Sequence, residues 1–250
     1  MNSALSVKDL SLNIGGAKIL DGITLDVAQN ETLGIIGPNG AGKTSFFNLL
    51  SGIRKSSRGQ IFVGDAEITN FEPHECARAG IARTFQTSSV FVNLTCLENV
   101  RIAAQAANGQ SMNLTKNAYK FADVVQTAHE CLAKVGLSAR AIQRAGSLSH
   151  GDKRRLEIAI VLASKSDIVL LDEPMAGMSV ENVPELLEII RSLATEHKKT
   201  VLIVEHHMEV ILGLADRIAV LNYGELLVCD TPQNVINNPI VQSAYIGEAL

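Results

Sequence analysis

The chain has 250 residues, of which 46% are hydrophobic and 19% are charged, and its formal net charge at pH 7 is −4. This composition supports a large buried core and argues against a disordered chain. The lysines and arginines are scattered and form no basic stripe, so we expect no nucleic-acid partner.

The first segments of the chain predict a β layer. Residues 5–14 and 18–27 alternate apolar and polar side chains on either side of Gly15 and Gly16. Such alternation around a glycine turn is typical of an antiparallel strand pair with one solvated face.

Three further segments are short and almost continuously apolar, namely residues 31–37, 167–173 and 200–206. Runs of this kind are typical of parallel strands that are buried on both faces. Helical spacing appears in residues 45–53 and 183–197. The order of strands and helices therefore predicts an α/β fold built on a parallel sheet.

The middle of the chain has a different pattern, with few strand signals. Its apolar residues recur with helical spacing in residues 96–107, 121–137 and 154–163. We therefore expect one domain over residues 1–250, in which a helical part, residues 88–163, is inserted between the core segments 1–87 and 164–250.

The spacing of the four cysteines and the length of the apolar runs limit the class of protein to which the chain can belong. Cys76, Cys96, Cys131 and Cys229 lie far apart without a C-x-x-C pair. This spacing suggests neither a zinc site nor a disulfide framework, and it predicts reduced, mostly buried thiols. No apolar run approaches the roughly 18 residues of a spanning helix, and the N-terminus lacks a signal-peptide pattern, so we expect a soluble chain and leave a membrane partner open.

The most specific motif is GPNGAGKT, residues 37–44, which matches the pattern GxxxxGK[ST]. A buried strand precedes it and a helix follows it, which is the context that a phosphate-binding loop requires and a chance glycine-rich turn lacks. Backbone N–H groups and the helix N-terminus can then hold a polyphosphate, Lys43 reaches the β- and γ-phosphates, and Thr44 binds Mg²⁺. The predicted ATP-binding residues are Gly37, Pro38, Asn39, Gly40, Ala41, Gly42, Lys43, Thr44 and Ser45.

A second motif lies at the end of an apolar run, where Asp172 and Glu173 stand side by side. Two adjacent carboxylates at the exit of a buried strand are costly unless a cation or a reacting water uses them. Behind a phosphate-binding loop, Asp172 is predicted to order Mg²⁺ and Glu173 to act as the general base on the attacking water.

The sequence LSHGD, residues 148–152, resembles the LSGGQ signature of ATP-binding-cassette (ABC) ATPases. Gln86 in IARTFQ matches the Q-loop glutamine of that family, His206 matches its switch histidine, and MAGMS, residues 175–179, occupies its D-loop. The resemblance covers essentially the whole chain. It implies a P-loop NTPase with a RecA-like core, an antiparallel β subdomain and an inserted α-helical subdomain.

The resemblance also implies roles for single residues. Gln86 would approach Mg²⁺ and sense the γ-phosphate, and His206 would orient water against Glu173, with His207 as the competing candidate. Two subunits would meet head to tail, so that Ser149 and Gly151 of one grip the ATP held by the other.

Four positions depart from the family pattern. His150 and Asp152 replace glycine and glutamine in the signature, which predicts a bulkier and more acidic loop facing the nucleotide. Ser179 replaces the usual D-loop aspartate, and Ile14 stands where an aromatic residue usually stacks on adenine. The neighbouring cations, at positions 154 and 155, are expected on the helix surface.

Several segments, among them GIARTFQ and VEHHMEVILGLADRI, look like the ATPase subunits of branched-chain amino-acid importers. That resemblance implies that the chain binds integral membrane permease subunits and pairs with a second ATPase subunit in a homodimer or heterodimer. It also implies a solute-binding protein as an indirect partner, and a peripheral location on the cytoplasmic face of the inner membrane. The related urea and short-chain amide importers and the lipopolysaccharide-export ATPases remain alternatives.

Other function classes fit less well. ABC proteins of translation or DNA repair usually carry two cassettes or a long coiled-coil insertion, and a small-molecule P-loop kinase lacks this order of motifs. The apolar residues of segment 90–97 (Val90, Phe91, Leu94 and Leu97) predict a surface that receives a short helix from a membrane subunit, or else packing within the helical part.

Overall fold

The computed structural model describes residues 3–84, 90–108 and 121–244. The chain forms two compact units. The first unit consists of Met1–Arg83, Asp167–Glu173 and Arg191–Leu250, and the second consists of Thr84–Ser166 and Pro174–Ile190.

The strands belong to the first unit and are numbered in chain order. They are β1 (Ser3–Ile14), β2 (Ala17–Ala28), β3 (Thr32–Ile36), β4 (Arg58–Val63), β5 (Ala66–Glu67), β6 (Ile81–Arg83), β7 (Ile168–Asp172), β8 (Thr200–Val204), β9 (Arg217–Asn222) and β10 (Glu225–Asp230).

The helices of the described residues are numbered in the same way. They are α1 (Lys43–Leu50), α2 (Pro73–Arg78), α3 (Cys96–Ala107), α4 (Phe121–Lys134), α5 (His150–Ala163), α6 (Val183–Thr195), α7 (Met208–Leu214), α8 (Pro232–Ile236) and α9 (Pro239–Ala244).

One sheet of the first unit is antiparallel and has the strand order β2-β1-β4-β5. Ile14 pairs with Ala17 across the Gly15–Gly16 turn, so the predicted antiparallel pair is confirmed. The pairing of β1 with β2 contains register shifts, and Asp9 lies there at φ +52°. Such irregularities bend a strand and increase its local twist.

The other sheet has the strand order β10-β9-β3-β8-β7-β6, and all neighbours except β10 and β9 run parallel. Every residue of β3, β7 and β8 is buried. The three strands predicted from continuous apolar runs are therefore confirmed, and they lie side by side in the centre of this sheet. Phe46 and Phe47 of α1 are fully buried in the core of the unit.

In the second unit α3, α4 and α5 pack against one another, which confirms the helices predicted there. Thr95 caps α3 in a reciprocal arrangement with Glu98, and Ser149 caps α5. Such caps satisfy N–H groups that the first turn of a helix leaves without a partner. None of the helices in the described ranges has the length and apolar character needed to cross a membrane.

The four cysteines are free thiols, and three of them are buried, as expected. Burial raises the pKa of the Cys76, Cys96 and Cys131 thiols, and it raises the pKa of Cys229 to about 11. The prediction of mostly buried thiols is confirmed.

Candidate nucleotide-binding site

The loop between β3 and α1 packs closely against β9 and β2. Gly37 has φ +152°, and a Cβ atom there would lie 2.0 Å from the backbone oxygen of Leu221. Gly42 has φ +101°, and its Cβ would lie 2.5 Å from a methyl carbon of Leu20. These two glycines are required because both the backbone conformation and the space exclude a side chain.

Lys43 begins α1 and folds back over this loop. Its ammonium donates hydrogen bonds to the carbonyl oxygens of Gly37 at 2.5 Å and Pro38 at 3.0 Å. Asn39, Gly40 and Thr44 are exposed. A curled loop with a buried cation at a helix N-terminus is suited to hold a polyphosphate.

The parallel sheet brings further polar groups to the same edge as this loop. β8 lies between β3 and β7, and the carboxyl ends of parallel strands meet at one edge of a sheet. Asp172 is the last residue of β7, Glu173 follows it, and His206 stands two residues after β8. Ligands of open α/β sheets bind at such an edge.

Asp172 is buried and ion-paired. Its Oδ2 accepts a hydrogen bond from Nη2 of Arg83 at 2.8 Å, and the side chains are 2% and 6% exposed, respectively. No role was predicted for Arg83, which lies within the segment IARTFQ. The signal that could have indicated a role is the single charged side chain of Arg83 beside the apolar residues Ile81 and Ala82 in β6.

Glu173 and His206 contact each other directly. Nε2 of His206 lies 2.8 Å from Oε1 of Glu173. Glu173 has φ +47°, and its backbone N–H donates to Val204 at the end of β8, at 2.9 Å. A left-handed conformation is uncommon for a residue other than glycine, and such backbone strain clusters at functional sites.

His207 has a different neighbour. Its Nδ1 lies 3.3 Å from Oε2 of Glu205, a residue that is only 3% exposed. The side chain of His207 is largely exposed, and the residue precedes α7 as its N-cap. The fold thus distinguishes two adjacent histidines between which the sequence left a choice.

Oxygen ligands for Mg²⁺ are present in this unit. Thr44 offers a hydroxyl and Asp172 a carboxylate, and hard cations prefer such oxygens. No three or more His, Cys, Asp or Glu side chains group into a metal site within the described part of the chain. Mg²⁺ usually takes one or two protein oxygens and completes its coordination shell with phosphate and water.

In the second unit, Ser149 and Asp152 form a local hydrogen-bond pair at the start of α5. The Ser149 hydroxyl donates to Oδ2 of Asp152 at 2.8 Å, and the Asp152 N–H donates back to Oγ of Ser149 at 3.2 Å. Arg140 pairs with the same carboxylate at 2.5 Å.

The expectation that Asp152 makes the loop facing the nucleotide more acidic is therefore wrong. The residue is 7% exposed, because its carboxylate turns inward to a serine hydroxyl and an arginine. His150 is exposed, as a bulkier loop requires. Gly151 is buried, and a Cβ there would meet Cε of Met178 at 3.4 Å.

The expectation that both arginines of α5 lie on its surface is also wrong. Arg154 is 7% exposed and pairs with the buried Glu157 at 2.8 Å. The Arg155 side chain is 12% exposed and pairs with Glu185 near the start of α6. Arg154 is buried and Arg155 is half-buried because acidic partners are available within the unit.

The remaining predicted positions are placed as follows. Ile14 is 40% exposed at the end of β1. Ser179 is exposed, and its hydroxyl accepts a hydrogen bond from Asn182 at 2.7 Å. Phe91 is 59% exposed, whereas Val90, Leu94 and Leu97 are half-buried. Gln86 lies outside the described residues.

Together, the phosphate-binding loop, the parallel sheet and the acidic strand ends define a P-loop nucleotide-binding fold. The family model of the ABC transporter matches residues 20–176. The chain belongs to the ABC transporter family and is one of its ATPase cassettes.

Relatives of almost the same length support this membership. The high-affinity branched-chain amino acid transport ATP-binding protein LivG of Escherichia coli (strain K12) is 38% identical over 250 residues, which cover 98% of each chain. BraF of Pseudomonas aeruginosa, which has the same description, is 35% identical over 98% of each chain. The lipopolysaccharide export system ATP-binding protein LptB of Acidithiobacillus ferridurans is 31% identical, over 99% of this chain and 98% of LptB.

The fold has a close match among solved structures. The ADP conformation of MJ1267, an ATP-binding cassette of an ABC transporter, superposes with a TM-score of 0.85 and 27% sequence identity. The match covers 99% of this chain and 100% of that one. The chain is therefore a nucleotide-binding subunit of a transporter complex.

Proposed function

We propose that this chain is the ATP-hydrolysing subunit of an importer for branched-chain or other hydrophobic amino acids. Its identity to LivG and BraF over 98% of each chain supports the transported class. The observation that carries the hydrolytic role is the 2.8 Å contact between Glu173 and His206 at the ends of neighbouring parallel strands.

In this proposal the first unit binds ATP. The residues from Gly37 to Ser45 surround the phosphates with backbone N–H groups, and Lys43 exchanges its carbonyl partners for phosphate oxygens. Thr44, Asp172 and Gln86 hold Mg²⁺, which when bound neutralises phosphate charge and orients the phosphates. The exposed side chain of Thr44 and the buried carboxylate of Asp172 support these assignments.

Glu173 is the general base that takes a proton from the attacking water. His206 holds the Glu173 carboxylate in place and donates a hydrogen bond to the γ-phosphate when the nucleotide is present. Its contact with Glu173, and the contact of His207 with Glu205 instead, favour His206 as the switch histidine.

The second unit supplies the other half of a composite site. In a head-to-tail pair of ATPase subunits, Ser149 and Gly151 act with the N-terminus of α5 on the γ-phosphate bound by the partner. The Ser149 hydroxyl first has to leave Asp152, its acceptor at 2.8 Å. The partner is a second copy of this chain or a similar ATPase.

The proposed organisation follows from these roles. Residues 1–87 and 164–250 form the catalytic core with its β subdomain, and residues 88–163 form the helical subdomain. ATP favours closure of the pair because the γ-phosphate contacts form only in the closed state, and hydrolysis removes them. Permease subunits receive this motion at the cytoplasmic face of the inner membrane, and a solute-binding protein delivers solute on the other side.

Reconstituted transport tests the proposal. The chain is co-expressed with candidate permease subunits and a candidate second ATPase, and the complex is placed in proteoliposomes with a candidate solute-binding protein and ATP. We expect uptake of radiolabelled leucine that ceases with Lys43→Ala. Uptake of urea or acetamide but not leucine would support the amide-importer alternative. Extraction of lipopolysaccharide would support the export alternative. Recovery of ribosomes or DNA instead of membrane subunits would contradict transport.

A further inference from the structure

Arg83 joins three parts of the first unit. Its Nη2 donates to Oδ2 of Asp172 at 2.8 Å, and its Nη1 donates to Oδ1 of Asn48 at 2.8 Å and to Oγ of Ser51 at 2.9 Å. Asn48 belongs to α1 and Ser51 follows it directly. The guanidinium thus connects the end of β7 with the helix that follows the phosphate-binding loop.

The guanidinium of Arg83 is buried together with the carboxylate that it contacts. The side chain of Arg83 is 6% exposed and that of Asp172 is 2% exposed. The guanidinium carbon lies 5.6 Å from the ring centre of Phe47, another residue of α1. Two buried charges are costly unless they pair in a suitable geometry, so the arrangement depends on these contacts to be stable.

We propose that Arg83 is a positioning residue that fixes the Asp172 carboxylate against α1 and thereby sets the Mg²⁺ affinity of the site. The inference rests on the proposed role of Asp172 in Mg²⁺ binding. One carboxylate oxygen is held by Nη2, which fixes the rotation of the group. Because α1 also carries Lys43 and Thr44, the same side chain keeps the carboxylate in register with the loop that holds the phosphates.

The fork of the guanidinium is essential to this role. One amino group bonds to α1 and the other to Asp172, so two separate nitrogens are needed. A lysine has the same charge but a single nitrogen, and it cannot reproduce both contacts in one geometry. Arg83→Lys therefore separates positioning from charge, because a purely electrostatic role would survive the substitution.

The experiment measures binding of a fluorescent, non-hydrolysable ATP analogue to the full chain, first in EDTA and then across a Mg²⁺ titration. For Arg83→Lys we expect binding in EDTA within about twofold of the wild type. The Mg²⁺ concentration for half-maximal enhancement should rise about tenfold, because losing a hydrogen bond to a ligating carboxylate commonly weakens metal affinity 10- to 100-fold. ATPase rates at saturating Mg²⁺ should stay within about threefold of the wild type.

Arg58→Lys is the matched control. Arg58 also pairs with an aspartate, Asp9, but both side chains are exposed. Its Mg²⁺ titration should match that of the wild type. If Arg83→Lys also matches the wild type, the inference is overturned while the proposed function stands. If the wild type binds no ATP analogue under either condition, the proposed function fails and this inference fails with it.

A second variant covers the case in which Arg83→Lys does not fold. Asn48→Ala combined with Ser51→Ala keeps the ion pair with Asp172 and removes the contacts of Arg83 to Asn48 and Ser51, together with the bond from the Ser51 hydroxyl to the Phe47 carbonyl oxygen. We expect a rise of several-fold in the half-maximal Mg²⁺ concentration, in the same direction. A folded double variant, judged by its thermal unfolding midpoint, with unchanged Mg²⁺ dependence would overturn the inference.

Discussion

His206 and Glu173 are joined across the ends of two adjacent parallel strands. Nε2 of the histidine lies 2.8 Å from Oε1 of the glutamate, and the backbone N–H of Glu173 donates to Val204, two residues before His206. A backbone bond and a side-chain contact thus connect the same two strand ends. The pair therefore has a fixed geometry, and we expect its members to act as one unit.

Replacing Glu173 by glutamine should abolish its ability to accept a proton. We expect steady-state ATP hydrolysis to fall about a hundredfold or more, because general-base catalysis contributes 10²- to 10⁴-fold. ATP binding should persist, so an ATP-bound dimer should accumulate, measured by light scattering after gel filtration with ATP.

Glu225→Gln is the control for this change, since Glu225 is exposed in β10. It should hydrolyse ATP at the wild-type rate. Normal hydrolysis by the Glu173 variant would refute its role as base.

The two adjacent histidines should differ in their effect. His206→Ala removes the contact with Glu173, and we expect the ATPase rate to fall at least tenfold. His207→Ala removes only a contact of 3.3 Å with Glu205 from a largely exposed ring, and we expect less than a twofold change. ATPase assays of both variants decide the matter, and the reverse order of effects would assign the switch to His207.

The ion pair at the start of α5 should contribute to stability. Arg140→Ala leaves the buried Asp152 carboxylate with fewer partners, so we expect the free energy of unfolding to fall by about 1–3 kcal/mol. Arg144→Ala, an exposed neighbour, should change it by less than about 0.5 kcal/mol. Urea unfolding curves measure both, and equal effects would mean that the Asp152 pair is not stabilising.

Phe91 tests the proposed docking to a membrane subunit. Its backbone is held by Asn99, which accepts from its N–H at 2.8 Å and donates to its carbonyl at 3.1 Å, while its side chain is 59% exposed. Phe91→Ala should therefore leave stability and nucleotide binding intact and reduce transport at least tenfold. Ile240→Ala, with 60% exposure, is the matched control. Unchanged transport in the Phe91 variant would refute docking at this residue.

The elements that the sequence predicted well are those with strong local signals. β3, β7 and β8 are continuous apolar runs because they are buried on both faces, and the glycine pattern of residues 37–44 leaves few other structures open. β9 is equally central but was not predicted, although RIAVLN is also a short apolar run.

Pairings between distant residues could not be predicted. The contact between Arg83 and Asp172 joins positions 89 residues apart, and nothing local in either segment specifies it. Arg155 was expected on the surface of α5, but Glu185 pairs with it from 30 residues away in the sequence. The choice between His206 and His207 likewise depends on the backbone after β8, which places His206 beside Glu173 and His207 beside Glu205.

Cys229 provides a pH-dependent test of the first unit. Burial raises the pKa of its thiol from an ordinary value of 9.0 to about 11, although Arg217 donates to the sulfur at 3.0 Å. Since the folded-state pKa is the higher one, the protonated thiol stabilises the fold below about pH 9. This contribution is lost as the pH rises from about 9 towards 11.

We therefore expect alkylation of Cys229 by iodoacetamide, followed by peptide mass spectrometry, to accelerate up to about pH 11 in the native protein. In urea the rate should level off near pH 9, because the unfolded thiol has its ordinary pKa. In parallel, the thermal unfolding midpoint of the wild type should fall more between pH 8.5 and 10.5 than that of Cys229→Ser, which has no titrating group at this position. A native alkylation profile that levels off near pH 9, with equal midpoint losses in both proteins, would show that burial does not protect this thiol.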